Sequence, residues 1–336
     1  VAVNSRGRNL ARGADAVLEF SVVGSFSRVG PFVRRRLYHW EALDGPLLAG
    51  RVVIVSGATS GLGLECATQM ARLGSTVVLL VRNPELGSRM REQIASATGN
   101  HDIDVVVADL GDLDSVRRAA TELRRYPEIH GLVHNAGALN PAFRLTPQGL
   151  EETAAVQLVG PFLLTTLLIE ALQRGSARVV WVTSGGMYAQ PLDVAWLRAP
   201  ERDYRGGKTY ALVKRAQVSL NAVWASDLAK LGVTMTAMHP GWVDTPGIRK
   251  WLPNFRRLMF PLLRSPAEGV DTVVWLMVAP PEATAPGTLW LDRRSRALHR
   301  LGRTERSDSA SERQKLLSFC EATSGLTSER VHGGDS

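Results

Sequence analysis

From residue 51 onward the chain alternates short apolar runs with segments of helical period, and the apolar runs are hydrophobic on both faces. "RVVIVSG" is followed by "GLGLECATQMARLG" with Gly74 as its stop, and "STVVLLVR" by a polar helical stretch over 84–98. "DIDVVVADL" precedes a helix over 112–126, and "HGLVHNAG" a long helix over 147–173. "ARVVWVTS", a helix over 208–231, "VTMTAMHPG", a helix near 266–278 and "GTLWLD" complete the series. Strands that are apolar on both sides need helices on both faces of their sheet, and strand–helix alternation makes such a sheet mostly parallel. The expectation is an α/β chain with one doubly wound domain of seven strands over residues 48–300. A basic, aromatic extension (1–47) precedes it. A polar tail (301–336) follows, with a short helix around "ERQKLLSFC" and then a disordered end.

Charge narrows the function classes. The formal net charge is +8, but the surplus is concentrated near the start, where Arg6, Arg8, Arg12, Arg28, Arg34, Arg35 and Arg36 face few acids. No zinc-finger or RNP-type motif accompanies it, so nucleic acid is not an expected partner. Cys66 and Cys320 cannot build a disulfide framework, and no Cys/His cluster has metal-site spacing, so no metal is expected. No apolar run approaches the ~20 residues of a spanning helix, and the start lacks a secretory-signal pattern. A cytoplasmic protein, peripheral at a membrane or not, is the expectation. After Pro31, Val33, Leu37 and Trp40 share one helical stripe with Arg34, Arg35 and Arg36 off it. That pattern suits a helix lying on an acidic bilayer and equally a helix packed on its own domain.

The first strand-to-helix turn reads "SGATSGLG", with Gly57, Thr59, Ser60, Gly61, Leu62 and Gly63. A glycine-rich turn in this place lets backbone approach a pyrophosphate at the helix N-terminus, so the domain is read as Rossmann-type. The second strand ends in Arg82 with no acid at its end. An acid there would take a free ribose hydroxyl and an arginine a 2′-phosphate, so NADP(H) is favoured, with NAD(H) as the alternative. "TYALVK" sets Tyr210 and Lys214 four residues apart on one helical face, either as a solvated pair or as an acid–base unit.

These features, with "NAG" at 135–137, Ser184 after the fifth strand and "PGWVDT" at 240–245, occur in an order and spacing that resemble the short-chain dehydrogenase/reductase family over about residues 48–292. "TSGGM", "HPGWVDTPGIR" and the N-terminal extension resemble one branch of it. The resemblance implies an oxidoreductase in which Tyr210 is general acid or base, Lys214 lowers its pKa and holds the nicotinamide ribose, and Ser184 binds the substrate oxygen. It further implies that Asp109 and Leu110 touch adenine, that Asn135, Ala136 and Gly137 line the cofactor cleft, and that Pro240, Gly241, Val243 and Thr245 lie near the nicotinamide. Homo-oligomers are implied only by analogy.

One position departs from the family pattern. Where many members carry an asparagine that relays protons to the lysine, "AAVQLVGPF" has Gln157, longer by a methylene. A working relay with shifted geometry and an impaired one are both open. A cofactor-binding but weakly active scaffold or redox sensor at a membrane is therefore the second reading. Downstream, Trp242, Trp251, Leu252, Phe255, Leu258, Met259 and Phe260 crowd "WVDTPGIRKWLPNFRRLMFPLLR". They fit a pocket for a lipophilic carbonyl or alcohol, an amphipathic surface over 246–264, or plain packing.

Overall fold

A computed structural model describes residues 5–326, with side chains from residue 9. Eight strands form one sheet in the order β3-β2-β1-β4-β5-β6-β7-β8. β1 (Val52–Ser56), β2 (Thr76–Val81), β3 (Ile103–Val107), β4 (Gly131–His134), β5 (Arg178–Val182), β6 (Thr234–Met238) and β7 (Leu289–Leu291) are parallel. β1, β4, β5 and β7 are buried along nearly their whole length, as runs apolar on both faces require. Two apolar cores, one on each face of the sheet, are built on Ile54, Leu132 and Trp181 and on Val53, Val55 and Val180.

The eighth strand is an addition to the seven expected. β8 (Arg294–Arg296) runs antiparallel to β7 through a two-residue turn in which Asp292 and Arg293 both sit at φ 53°. "RSR" carries no apolar alternation, so nothing in its pattern marks it as a strand.

The long helix expected over 147–173 is shorter and broken. Residues 145–151 form a closed turn with a bridge between Leu145 and Glu151, and helix begins at Glu152. A π-turn, Ala155–Val159, then leads into Gly160–Leu167. Pro161 has no N–H to give the carbonyl four residues back, and that carbonyl, on Gln157, instead accepts from Gln217 Nε2 at 2.6 Å. The ring of a proline thus turns Gln157 out of regular helix.

Residues before the sheet form three helices, α1 (Ser5–Phe20), α2 (Val22–Phe26) and α3 (Val29–Leu37). The expected stripe of α3 is corrected here. The helix ends before Trp40, Phe32 faces solvent, and Arg34 is fully buried rather than turned outward. At the other end, helix Ala310–Ser324 buries Leu316, Leu317, Phe319 and Cys320 against the long helix Gly206–Lys230. The disordered end expected beyond it falls on 327–336, outside the described residues. No helix among the described residues is long and apolar enough to cross a membrane.

Candidate active site

The segments that follow β1 to β6 meet at the carboxyl edge of the sheet, where a doubly wound fold leaves a crevice at the reversal of strand order. One cavity of about 970 Å³ opens there, and every residue singled out above for cofactor or catalysis lines it.

The glycine turn is held by β4. Ser56, at the end of β1, donates to Val133 O at 3.1 Å and accepts from the N–H groups of Asn135 and Ala136, both at 3.0 Å. The Asn135 amide returns a bond to Ser56 O at 2.9 Å. Gly57 sits at φ 68°, and a Cβ at Gly63 would run into the Gly57 carbonyl and the Asn135 amide. Ser60 caps helix Gly61–Arg72 without a side-chain hydrogen bond, so the first N–H groups of that helix remain available to an anion. This cradle fits a pyrophosphate. Arg82 is exposed at the rim beyond β2, and Asp109, beyond β3, is oriented by the Gly111 N–H at 2.8 Å.

Ser184, Tyr210 and Lys214 come together on the opposite wall. Ser184 opens the turn Gly185–Ala189 after β5, while Tyr210 and Lys214 share a face of the long helix. Tyr210 and Ser184 line the same wall, and Lys214 Nζ lies 5.5 Å from the Tyr210 ring centre. Lys214 Nζ donates to Val182 O at 3.0 Å, and its own carbonyl accepts from Thr183 Oγ1 at 2.9 Å. Burial lowers the lysine to about 7. Burial also raises the Tyr210 phenol above its ordinary value, with the Ser184 hydroxyl pulling the other way. Gln157 lines the same cavity, with its Nε2 committed to Ala138 O at 2.8 Å and its Oε1, buried, without a partner. Gly137 makes room for it, since a Cβ there would lie 2.7 Å from the glutamine amide.

Two short helices, Pro246–Trp251 and Pro253–Met259, fold across the mouth. Asp244 ties them together through Arg256 and Arg249, and those bonds hold its carboxyl at about 2. The aromatic and aliphatic residues of this stretch divide into two sets. Trp242, Trp251, Leu252 and Phe255 line the cavity, whereas Leu258 and Phe260 point to solvent. Sequence reasoning missed Ser56, whose only signal is a hydroxyl ending an otherwise apolar strand. It also missed Phe26, whose carbonyl accepts from Trp242 N–H at 2.8 Å and braces the Gly241 turn from behind.

A doubly wound sheet with a glycine cradle at its reversal point, and a Tyr–Lys helix facing a serine across one cavity, defines a dinucleotide-dependent oxidoreductase domain. The family model described as short chain dehydrogenase matches residues 51–254. Human dehydrogenase/reductase SDR family member 12 is 34% identical over 276 residues, covering 82% of this chain and 86% of the relative. Mouse retinol dehydrogenase 11 is 32% identical, covering 74% of this chain and 79% of the relative. Among solved structures, a Beutenbergia cavernae candidate NAD(P)-dependent gluconate 5-dehydrogenase, with NADP bound at low occupancy, superposes with a TM-score of 0.57 at 28% identity. That match covers 69% of this chain and 91% of the other. The chain belongs to the short-chain dehydrogenase/reductase family, and it is an NAD(P)-dependent oxidoreductase.

Proposed function

We propose that the chain uses NADP(H) to reduce a lipophilic carbonyl compound, or to oxidise the matching alcohol, through Ser184, Tyr210 and Lys214. The observation that carries this reading is that Ser184, Tyr210 and Lys214 line one wall of one cavity, with the Lys214 amine 5.5 Å from the Tyr210 ring centre.

Each side chain has a task that its surroundings suit. A phenol held above its ordinary pKa keeps its proton at neutral pH, so Tyr210 is a proton donor to a substrate oxygen that gains charge. Ser184 hydrogen-bonds that oxygen and stabilises the charge as it develops. Lys214, close to half-protonation at neutral pH, holds the nicotinamide ribose and passes a proton towards Tyr210 Oη. Gln157 Oε1, free of other bonds, is the acceptor next to that path. The dinucleotide, when bound, supplies or accepts the hydride.

For the cofactor, the cradle of Gly57, Thr59, Ser60, Gly61, Leu62 and Gly63 holds the pyrophosphate. Asp109 and Leu110 flank the adenine; Asn135, Ala136 and Gly137 form the floor, and Pro240, Gly241, Val243 and Thr245 the nicotinamide end. Arg82 on the rim favours a 2′-phosphate, and the Beutenbergia structure holds NADP. For the substrate, Trp242, Trp251, Leu252 and Phe255 give the cavity an apolar wall, and a relative that matches along most of the chain is a retinol dehydrogenase.

Titration with NADPH and NADH by nicotinamide fluorescence, followed by a panel of lipophilic ketones and aldehydes, tests it. Tighter binding of NADPH and its oxidation by members of the panel support the reading. Failure to bind either dinucleotide overturns it.

A further inference from the structure

Helix α1 is built inside out. Its carboxylates, Asp15 and Glu19, face the protein, where they meet Arg34 at 2.6 and 2.7 Å, Arg296 at 3.0 and 3.5 Å, and Arg300. Its outward stripe is Leu10, Val17 and Phe20, which are 76%, 75% and 91% exposed. These positions recur at helical spacing, so they form one continuous apolar ridge. The next two helices add apolar side chains to this face: α2 shows Val22 and Val23 to solvent while burying Ser25 and Phe26, and α3 exposes Phe32 beside Arg35 and Arg36 while burying Arg34. An ordinary surface helix does the reverse of α1.

The charge on this face is mainly positive, with Glu268 the acid beside Phe32, Arg35 and Arg36. Asp15 and Glu19 are the only acids between residues 9 and 40, and both are turned inward, whereas Arg12, Arg28, Arg35 and Arg36 are exposed. The Arg36 guanidinium lies 3.7 Å over the Phe32 ring. The face also reaches the mouth of the cavity. The N–H of Arg28 donates to Leu262 O at 2.9 Å, and just before that carbonyl Arg257, Leu258 and Phe260 are exposed.

We propose that this face, the outer side of residues 10–36 with the tip at 257–260, docks on an anionic lipid bilayer and sets the mouth of the cavity at the lipid surface. An apolar ridge fringed mainly by arginine matches a bilayer that offers hydrocarbon beneath a negative headgroup layer. A second copy of this chain would bring the same arginines against themselves in a two-fold contact. The surface differs from the one the sequence pattern implied: Phe32 and α1 face the lipid, and Arg34 faces the protein. The inference stands whatever the substrate is.

Flotation of the full chain with phosphatidylcholine vesicles, with and without phosphatidylserine, tests it. Binding to the anionic vesicles is expected to weaken about fivefold for each arginine replaced in Arg28→Ser and Arg35→Ser. It is expected to fall at least about tenfold in the pair Phe20→Glu and Phe32→Glu, with dinucleotide affinity and thermal midpoint unchanged. Two results overturn the proposal. One is absence of binding to anionic vesicles; the other is binding that these variants leave intact. Concentration-dependent dimers, lost in the Phe→Glu pair while vesicles stay unbound, would assign the face to a second copy instead.

Discussion

Arg34 Nη1 lies 2.6 Å from Asp292 Oδ2, across 258 positions of sequence. The other oxygen of that carboxylate takes Arg264 Nη1 at 2.6 Å. Arg264 also accepts no freedom at its backbone, since its N–H donates to Trp242 O at 2.7 Å, and its Nε reaches Phe26 O at 3.0 Å. One buried aspartate, in the β7–β8 turn, therefore joins the N-terminal helices to the loop that walls the cavity. Replacing it by asparagine leaves two buried guanidinium groups undercompensated. Asp292→Asn is expected to destabilise the fold by about 3–5 kcal/mol in urea unfolding.

Lys214 should cost stability for the sake of function. Its value in the fold is about 7 against an ordinary 10.5, so the unfolded chain binds more protons between those limits. Stability therefore rises as pH climbs through that window. Lys214→Met removes the buried amine and its titration together. The ligand-free variant is expected to gain about 1–4 kcal/mol at neutral pH, to lose that part of the alkaline rise, and to have no turnover.

Acid should act through His134. Its Nε2 lies 2.7 Å from Thr165 Oγ1, and that hydroxyl already donates to Pro161 O at 3.0 Å, so Nε2 carries the hydrogen. Nδ1 is buried without a partner, and burial holds the ring at about 3 against 6.5. The unfolded chain binds the extra proton between these values, so stability is lost as pH falls from 6.5 towards 3, by up to about 5 kcal/mol from this group. His239, also held low by burial, adds a loss of the same sign. His134→Gln is expected to flatten the acid slope of unfolding free energy by about one proton.

Cofactor choice should turn on Arg82. It is exposed at the rim of the cavity beyond β2. Arg82→Glu would face a 2′-phosphate with like charge and a free 2′-hydroxyl with an acceptor. Affinity for NADPH is expected to fall about tenfold or more while that for NADH holds or rises, read by fluorescence titration.

The parts of this molecule that local pattern can encode were legible. Runs such as "VVIVS" and "RVVWV" are strands because they are apolar on both faces, and the glycine turn and Tyr210–Lys214 lie where spacing put them. What escaped depends on partners far along the chain. Arg34 reads as a surface cation until Asp292 is beside it. β8 exists because Asp292 and Arg293 adopt the left-handed turn, not because "RSR" favours a strand. The interruption at Ala155–Val159 follows from Pro161 together with Gln217, whose side chain arrives from another helix. Asp15 and Glu19 likewise gave no sign that α1 would turn its apolar ridge outward.

The central claim is that Tyr210 is the acid of an NADP(H)-dependent carbonyl reduction, and the direct measurement is NADPH oxidation by Tyr210→Phe beside the unaltered chain on the same lipophilic carbonyl. The account predicts NADPH affinity within about threefold and turnover lower by about 10²–10⁴, the share a positioned proton donor contributes. Equal turnover in the two proteins would contradict it.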